Sequence, residues 1–368
     1  MRIAYLTLQA PREGEAAYVH VQEMIEGLRC LGNTVELFAP SYSSVWEKPI
    51  FIVRMVEHVL IQIRLARRLR HFHVLYVRAH FMALPIALLA VVTGVPVVHE
   101  VNGPNEDVLI SYPLAAPFRR MLQWMQQTQY KYAKGLITVT PQLKDWLNGQ
   151  FKHMPVVVIS NGANLQYFNP QRSPDPDLPR PYAVFVGSLA PWHGIRTLVD
   201  AAEDADWPHG VSVVIVGDGP ERETVQRAAE RNPRLVVLGR RPYASIGSII
   251  VGAAVGLVTI SDPGKRSRTG LAPIKLFELL ACGVPAIVSD LPGQAELVRT
   301  HQCGIVYPHD DAQALARAVA DVTSNPDMAR MMGERGHQLV EKEFSWKILA
   351  ERTERFLREV VSEPGVVT

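Results

Sequence analysis

The chain has 368 residues, 48% of them hydrophobic and 20% charged, with a formal net charge of +2. That length exceeds what one core organises, so about two domains are expected. The balance argues against a nucleic-acid binder, and three cysteines (Cys30, Cys282, Cys303) without a CxxC pair argue against a disulfide framework or zinc site and fit a reducing cytosol.

The opening MRIAYLTL reads as a β-strand, too short in apolar residues for a signal peptide. A loop with Gly14 follows, then helical spacing through Val21, Met24, Ile25 and Leu28, a stop at Gly32-Asn33 and the strand TVELFAP. Residues 48–70 carry Lys48, Arg54, Arg64, Arg67, Arg68 and Arg70 against Glu57 alone, with Phe51, Ile52, Met55, Val56, Val59, Leu60 and Ile63 as an apolar face. Such a basic amphipathic helix suits an anionic membrane surface; the competing reading is a packed helix with a solvated basic edge. Phe81–Val98 is uncharged and near membrane-spanning length, but Gly94 and Pro96 divide it into a helix to about Val92 and a strand at 95–99. HVLYV (73–77), VPVVHEV (95–101), GLITVT (135–140) and VVVIS (156–160) alternate with helical stretches, the pattern of a parallel sheet covered on both faces.

Residues 169–181, NPQRSPDPDLPRP, hold five prolines and read as a stiff linker between domains. Strands then resume at 182–188, 211–217, 234–239, 253–260, 284–290 and 304–308, and 345–361 reads as a charged helix with Ser345 as N-cap. Charge divides along the same line: residues 1–172 carry 17 Lys+Arg against 11 Asp+Glu (+6), and residues 173–368 carry 21 against 25 (−4). Two α/β domains of this kind place a ligand beyond the carboxyl ends of their strands, in a cleft.

Two charges interrupt the apolar run KLFELLACGVPAIVSD. Lys275 and Glu278 are three residues apart, so they share a helix face near its start. As a local ion pair they would contribute only about 0.2–0.5 kcal/mol, and Lys in the first turn opposes the helix dipole. An anion at the helix start would reverse that penalty, while a carboxylate one turn deeper can accept both hydroxyls of a ribose. On these residues alone, ligand binding and a structural pair are equally good readings.

The stretch TGLAPIKLFELLACGVPAIVSDLPG strongly resembles the donor segment of the family 4 glycosyltransferases, and VFVGSLAPWHGIRTLVDAA, VIVGDGPERE and VVISNGANLQYFNP match other segments in the right order. The resemblance implies the GT-B fold: α/β, two Rossmann-like domains facing each other across a cleft, an acceptor domain at 1–170 and a donor domain at 180–344, with the helix 345–361 returning to the first. It implies a retaining, nucleotide-sugar-dependent hexosyltransferase of glycoconjugate synthesis with a hydroxyl acceptor, a lipid-linked one if the basic segment meets a membrane. A cytoplasmic enzyme is expected from the cysteines, and no metal or other cofactor is expected because no carboxylate cluster with metal spacing appears. An epimerase or hydrolase of the same fold and a non-catalytic sugar-binding protein are the alternatives.

By that resemblance Glu278 holds the donor ribose. Gly14, Gly187, Ser188, His193 and Gly217 lie along the diphosphate, and Gly239 and Arg240 lie by the base. The chain departs from the family at three places: Gly270 stands where many members have a Glu near the donor sugar, and Ser188 and His193 stand where they have an Arg and a Lys on the diphosphate. Lys275, Arg266 and Arg268 are the candidate replacements. In the first domain, the strand end HEVNG puts His99 and Val101 on one side and Glu100 and Asn102 on the other. Asn102 is the favoured sugar contact, Glu100 its partner or an acceptor-side base, and His99 the remaining candidate.

Overall fold

The computed structural model describes residues 1–10, 14–41, 50–104, 113–262 and 266–362, and every apolar run expected as a strand is one. The chain divides into two compact units, Met1–Ser160 with Leu349–Thr368, and Asn161–Ile348.

Unit 1 runs β1 (Arg2–Leu6), α1 (Ala16–Cys30), β2 (Thr34–Phe38), α2 (Phe51–Ala66), β3 (Val74–Arg78), α3 (Leu84–Val92), β4 (Val97–Val101), α4 (Arg119–Lys131), β5 (Gly135–Thr138), α5 (Pro141–Gln150) and β6 (Val156–Val158). Its strands are parallel in the order β2-β1-β3-β4-β5-β6. The central strands are buried on both faces, which is why their sequences are continuous apolar runs rather than alternating ones. The long uncharged segment is divided as its glycine and proline dictate: α3 stops at Val92, Gly94 takes φ +76°, and β4 starts at Val97. No helix among the described residues is long and apolar enough to cross a membrane.

Unit 2 runs β7 (Tyr182–Val186), α6 (Ile195–Glu203), β8 (Ser212–Val216), α7 (Arg222–Arg231), β9 (Leu235–Gly239), α8 (Tyr243–Val251), β10 (Val255–Val258), α9 (Ile274–Ala281), β11 (Ala286–Ser289), α10 (Gln294–His301), β12 (Gly304–Tyr307), α11 (Ala312–Ser324) and α12 (Pro326–Leu339). Its parallel sheet has the order β12-β11-β10-β7-β8-β9. One face packs Phe185 and Ile215 against Leu198 of α6 and Leu315 of α11. The other packs Val184 and Val258 against Ile250 of α8 and Phe277 of α9. The proline-rich segment 169–181 differs from the expected linker. It lies within unit 2, where Arg172 donates to the Ala244 carbonyl (2.9 Å) and the Asp175 amide to that of Ser248 (3.0 Å), and the units change over at Ser160/Asn161 instead.

The last helix, α13 (Trp346–Ser362), is capped by Ser345, whose Oγ accepts from the Ile348 amide at 3.4 Å. From Leu349 onward it belongs to unit 1: Glu354 accepts from Asn33 Nδ2 at 2.9 Å, and Phe356 covers Gly135, where a Cβ would overlap its ring.

Strand order also fixes where a ligand can enter. In unit 2 the chain lays β8 and β9 on one side of β7, then returns to place β10 on the other. The two connections leave in opposite directions, so a crevice opens beyond the carboxyl ends of β7 and β10. In unit 1 the same reversal falls between β1 and β3.

Candidate active site

The connection from β7 to α6, residues 187–194, crosses the switch point of unit 2. Its Gly187 amide donates to Val216 O and the Gly217 amide to Gly239 O, each at 2.9 Å, so the ends of β7, β8 and β9 are tied through a row of glycines. The row is tight: Gly217 has φ +143°, and a Cβ there would lie 1.8 Å from Gly187 O. On the other flank Gly194 abuts Thr259 at the end of β10, and Thr259 Oγ1 donates to His193 O at 2.9 Å. The loop is thus held on both sides of the crevice, with Ser188 exposed at its start.

Lys275 enters this place from the first turn of α9. Pro273 is the N-cap and Ile274 the first helical residue. The Lys275 Nζ sits 4.2 Å from the centre of the Phe185 ring and 2.9 Å from where a Cβ of Gly187 would be, so a side chain at 187 would push the lysine tip aside. Part of the lysine stem is open to solvent, but the Nζ is buried and has no hydrogen-bond partner. Burial pulls its pKa down to about 7, against a smaller opposing pull from Glu278. A cation–π contact offsets a little of that penalty; the ammonium's hydrogen-bonding capacity stays unused. The ion pair that the three-residue spacing allowed is not what holds this lysine.

His193 behaves differently from expectation. Its Nδ1 lies 2.6 Å from Ser188 O and therefore carries the proton, leaving Nε2 as an acceptor. Burial, and next the charge of Lys275, lower its pKa to about 3. At rest His193 is neutral and offers a phosphate no donor from Nε2.

Of the remaining expected donor residues, Glu278 is buried on α9, one turn beyond Lys275. Gly270 has φ +78° and donates to Ser267 O at 2.7 Å, just before α9. Arg268 is exposed; the side chain of Arg266 lies outside the described residues. Arg240 is 3.7 Å from Asp218, which also faces Arg222 at 3.7 Å. Gly217 and Gly239 open onto a concavity of about 660 Å³ lined also by Arg222, Gln226, Glu230 and Val237. Sequence reasoning missed these α7 residues, although their helical spacing on the face toward β9 was a readable signal.

In unit 1 the residues around HEVNG form a closed cluster. Glu100 is 1% exposed and accepts from Tyr76 (2.7 Å), Tyr5 (3.2 Å), Arg78 (2.6 Å) and Asn102 (2.7 Å), with His20 Nε2 at 3.0 Å. Burial alone would raise its pKa; His20 first, then Arg78, hold it well below the usual carboxylate range. A carboxylate so satisfied is a poor proton acceptor, so the acceptor-side base role expected for Glu100 does not fit. What it does is fix Asn102, whose remaining amide oxygen sits at the strand end. His99 also departs from expectation. It is fully buried on the opposite face of β4, edge-on to Tyr130 at 5.4 Å, and burial lowers its pKa to about 3. Alternation, the feature that separated His99 from Glu100 in the sequence, sends it into the core. Gly14 has φ +84° and open space around it. Tyr5, Tyr76 and Arg78 were not foreseen, because strand register, pairing Tyr5 with Tyr76 and Arg78 with Glu100, brings them together.

Among the described residues no three His, Cys, Asp or Glu side chains gather to hold a metal ion. The unit 2 arrangement is a cationic, glycine-floored niche at a helix start, the chemistry that holds phosphate groups.

Comparison with known proteins gives the family and the fold. Residues 17–167 match the family described as Glycosyltransferase Family 4, and residues 168–339 that described as Glycosyl transferases group 1. The alpha-maltose-1-phosphate synthase of Mycolicibacterium smegmatis is 25% identical over 98% of this chain and 100% of its own length. The GDP-mannose-dependent monoacylated alpha-(1-6)-phosphatidylinositol monomannoside mannosyltransferase of Corynebacterium glutamicum is 27% identical over 58% of this chain, and the match spans 57% of that protein. The sucrose-phosphate synthase structure from Thermosynechococcus elongatus superposes with a TM-score of 0.77 at 19% identity, over 98% of this chain and 99% of that one, which establishes the two-Rossmann GT-B fold.

Proposed function

The chain belongs to glycosyltransferase family 4, its second unit carrying the group 1 domain, and on that premise we propose that it transfers a hexosyl group from a nucleoside-diphosphate sugar to an acceptor hydroxyl with retention of configuration. The observation that carries this reading is the buried Lys275 ammonium, without a hydrogen-bond partner, beside the Gly187 backbone at the switch point. As the anomeric C–O bond breaks, charge develops on the departing diphosphate. Lys275 and the first amides of α9 are assigned to its stabilisation. The acceptor oxygen bonds to the anomeric carbon on the same face, and its proton passes to the leaving phosphate oxygen. No protein nucleophile is assigned.

Glu278 is assigned to the ribose, Gly217 to the diphosphate, and Gly239 with Arg240 to the base. In unit 1 Asn102, held by Glu100, is assigned to the transferred sugar. Lys275 and the α9 amides supply the positive charge, so we assign no metal; activity unchanged by a chelator is the expected outcome. The relative named as a phosphatidylinositol mannoside mannosyltransferase supports a lipid-linked acceptor, met at the inner membrane surface through the basic segment 48–70.

Thermal shift against a panel of nucleoside diphosphates and their sugars tests the reading. A ligand at 100 times its dissociation constant stabilises by about 2.7 kcal/mol. One base should give that shift, and Lys275→Met and Glu278→Ala should each remove most of it while still unfolding cooperatively. A full shift in Glu278→Ala would sink the ribose assignment; no shift from any nucleotide would sink the donor site. Product analysis with and without hydroxyl acceptors then distinguishes transfer from hydrolysis or epimerisation.

A further inference from the structure

α2 carries more apolar residues than packing on a sheet uses, and the surplus faces solvent. The helix buries His58, Ile61, Gln62 and Leu65. It exposes Ile52, Val56, Val59, Leu60 and Ile63, with Ile52 at 68%. These five stand at i, i+4, i+7, i+8 and i+11, a single stripe along the solvent side. The inner face packs Ile61 and Leu65 into the unit 1 core and also holds polar contacts: Gln62 Oε1 accepts from the Ile86 amide at 3.3 Å, and the His58 ring lies edge-on to His80 at 5.3 Å. Rotating the helix to hide its stripe would draw Ile61 and Leu65 out of the core and break these contacts.

The surface continues beyond α2. α3 packs against both α2 and α4, and carries Val92 at 84% exposure. On α4 and its N-cap, Phe118, Met121 and Trp124 are exposed at three-residue spacing, with Trp124 at 60%. Arginines accompany the apolar groups. Arg64 and Arg67 follow the α2 stripe at i+12 and i+15 from Ile52, and Arg119 and Arg120 start α4. All four are outside the buried set, and their guanidinium groups make no ion pair or hydrogen bond among the described residues. The one acid of α2, Glu57, is engaged by the amide and hydroxyl of Ser41 (2.7 and 2.5 Å).

We propose that the joined outer faces of α2, α3 and α4 are a membrane-docking surface that inserts the Ile52–Ile63 stripe and Trp124 into the headgroup boundary of an anionic bilayer. The charges select this occupant. A second copy docking through the same face would set the four unpaired arginines against themselves, whereas anionic headgroups neutralise them while acyl chains cover the stripe. Indole at such a boundary keeps its ring in the apolar layer and its N–H in the wet one. This deepens the lipid-linked reading of the acceptor, but docking is measured without donor or acceptor, so either can fail alone.

Flotation of the full chain with phosphatidylcholine vesicles, with and without phosphatidylglycerol, is the test. Binding should require the anionic lipid and weaken with salt. Leu60→Asp with Ile63→Asp should lower partitioning at least about tenfold, and Arg64→Gln and Arg67→Gln about fivefold each, on anionic vesicles only. Tryptophan quenching by brominated lipid should be lost in Trp124→Phe. The nucleotide thermal shift should persist in every variant; if the aspartates prevent folding, serine at the same positions serves. Equal partitioning to neutral and anionic vesicles, undiminished partitioning of the stripe variants, or a dimer in solution abolished by them would overturn the proposal.

Discussion

An ammonium buried without a hydrogen-bond partner destabilises the protein that holds it, and Lys275 carries that cost in the absence of a ligand. Its folded pKa of about 7 lies below the ordinary 10.5. Between those values the unfolded chain binds more protons than the folded one, so stability rises with pH across this window, and below it the penalty is complete. Lys275→Met should therefore stabilise the ligand-free protein at pH 6.5, at about 1.4 kcal/mol per pH unit of depression, with the gain shrinking toward pH 10. Urea denaturation at the two pH values checks this, and a loss at pH 6.5 would mean the ammonium has a partner. The same shift predicts that nucleoside diphosphate binding takes up a proton: about half per site at pH 7 and more at pH 8. Calorimetry in buffers of different ionisation enthalpy reads it, and zero uptake would contradict the lowered resting pKa of Lys275. Glu100 has the opposite sign. Its folded pKa is depressed, so its contribution is present above the usual carboxylate range and lost as pH falls through the lower folded value. Glu100→Gln strands the partly buried Arg78 and should cost about 3–5 kcal/mol at pH 7, measured by denaturation.

At the scale of elements, the glycines that close the strand ends have unequal reasons to be there. Gly217 and Gly239 both have positive φ, at +143° and +68°, but a Cβ at Gly217 would strike Gly187 O, while nothing lies within 4 Å of one at Gly239. Gly217→Ala should destabilise by at least about 2 kcal/mol and weaken nucleotide binding, because the β7 and β8 connections must part. Gly239→Ala should cost about 1–2 kcal/mol, the left-handed penalty alone. Comparable losses at the two positions would show that contact across the row is unimportant. These elements were largely legible. Short β-rich runs between Gly and Pro marked every strand, and the charged pair in the α9 sequence marked the niche. The linker was misplaced because a proline-rich composition reports stiffness, not whether a stiff segment is pinned to a surface, as Arg172 and Asp175 pin this one.

At the scale of the whole chain, what was least legible is what depends on strand order. Tyr5, Tyr76 and Glu100 are separated by up to 95 positions, and only the sequence β1-β3-β4 in the sheet makes them neighbours. The return of the last helix is another long-range fact, and here the family resemblance supplied what local pattern did not. Unit 1 is discontinuous: residues beyond Leu349 complete it, with Leu349 and Leu357 fully buried and Phe356 laid over Gly135 of β5. Gly135 is thus a docking surface, since any side chain there would displace the ring. Phe356→Ala removes a buried aromatic and leaves that floor uncovered, which should cost about 3–5 kcal/mol. Unit 2 has its own two-sided core, so the nucleotide site it carries should keep its affinity at temperatures below the lowered transition. Chemical denaturation read alongside nucleotide titration separates the two effects. A variant with unchanged stability would mean that α13 contributes nothing to unit 1, and one with proportionate loss of nucleotide affinity would mean that the niche around Lys275 is not organised by unit 2 alone.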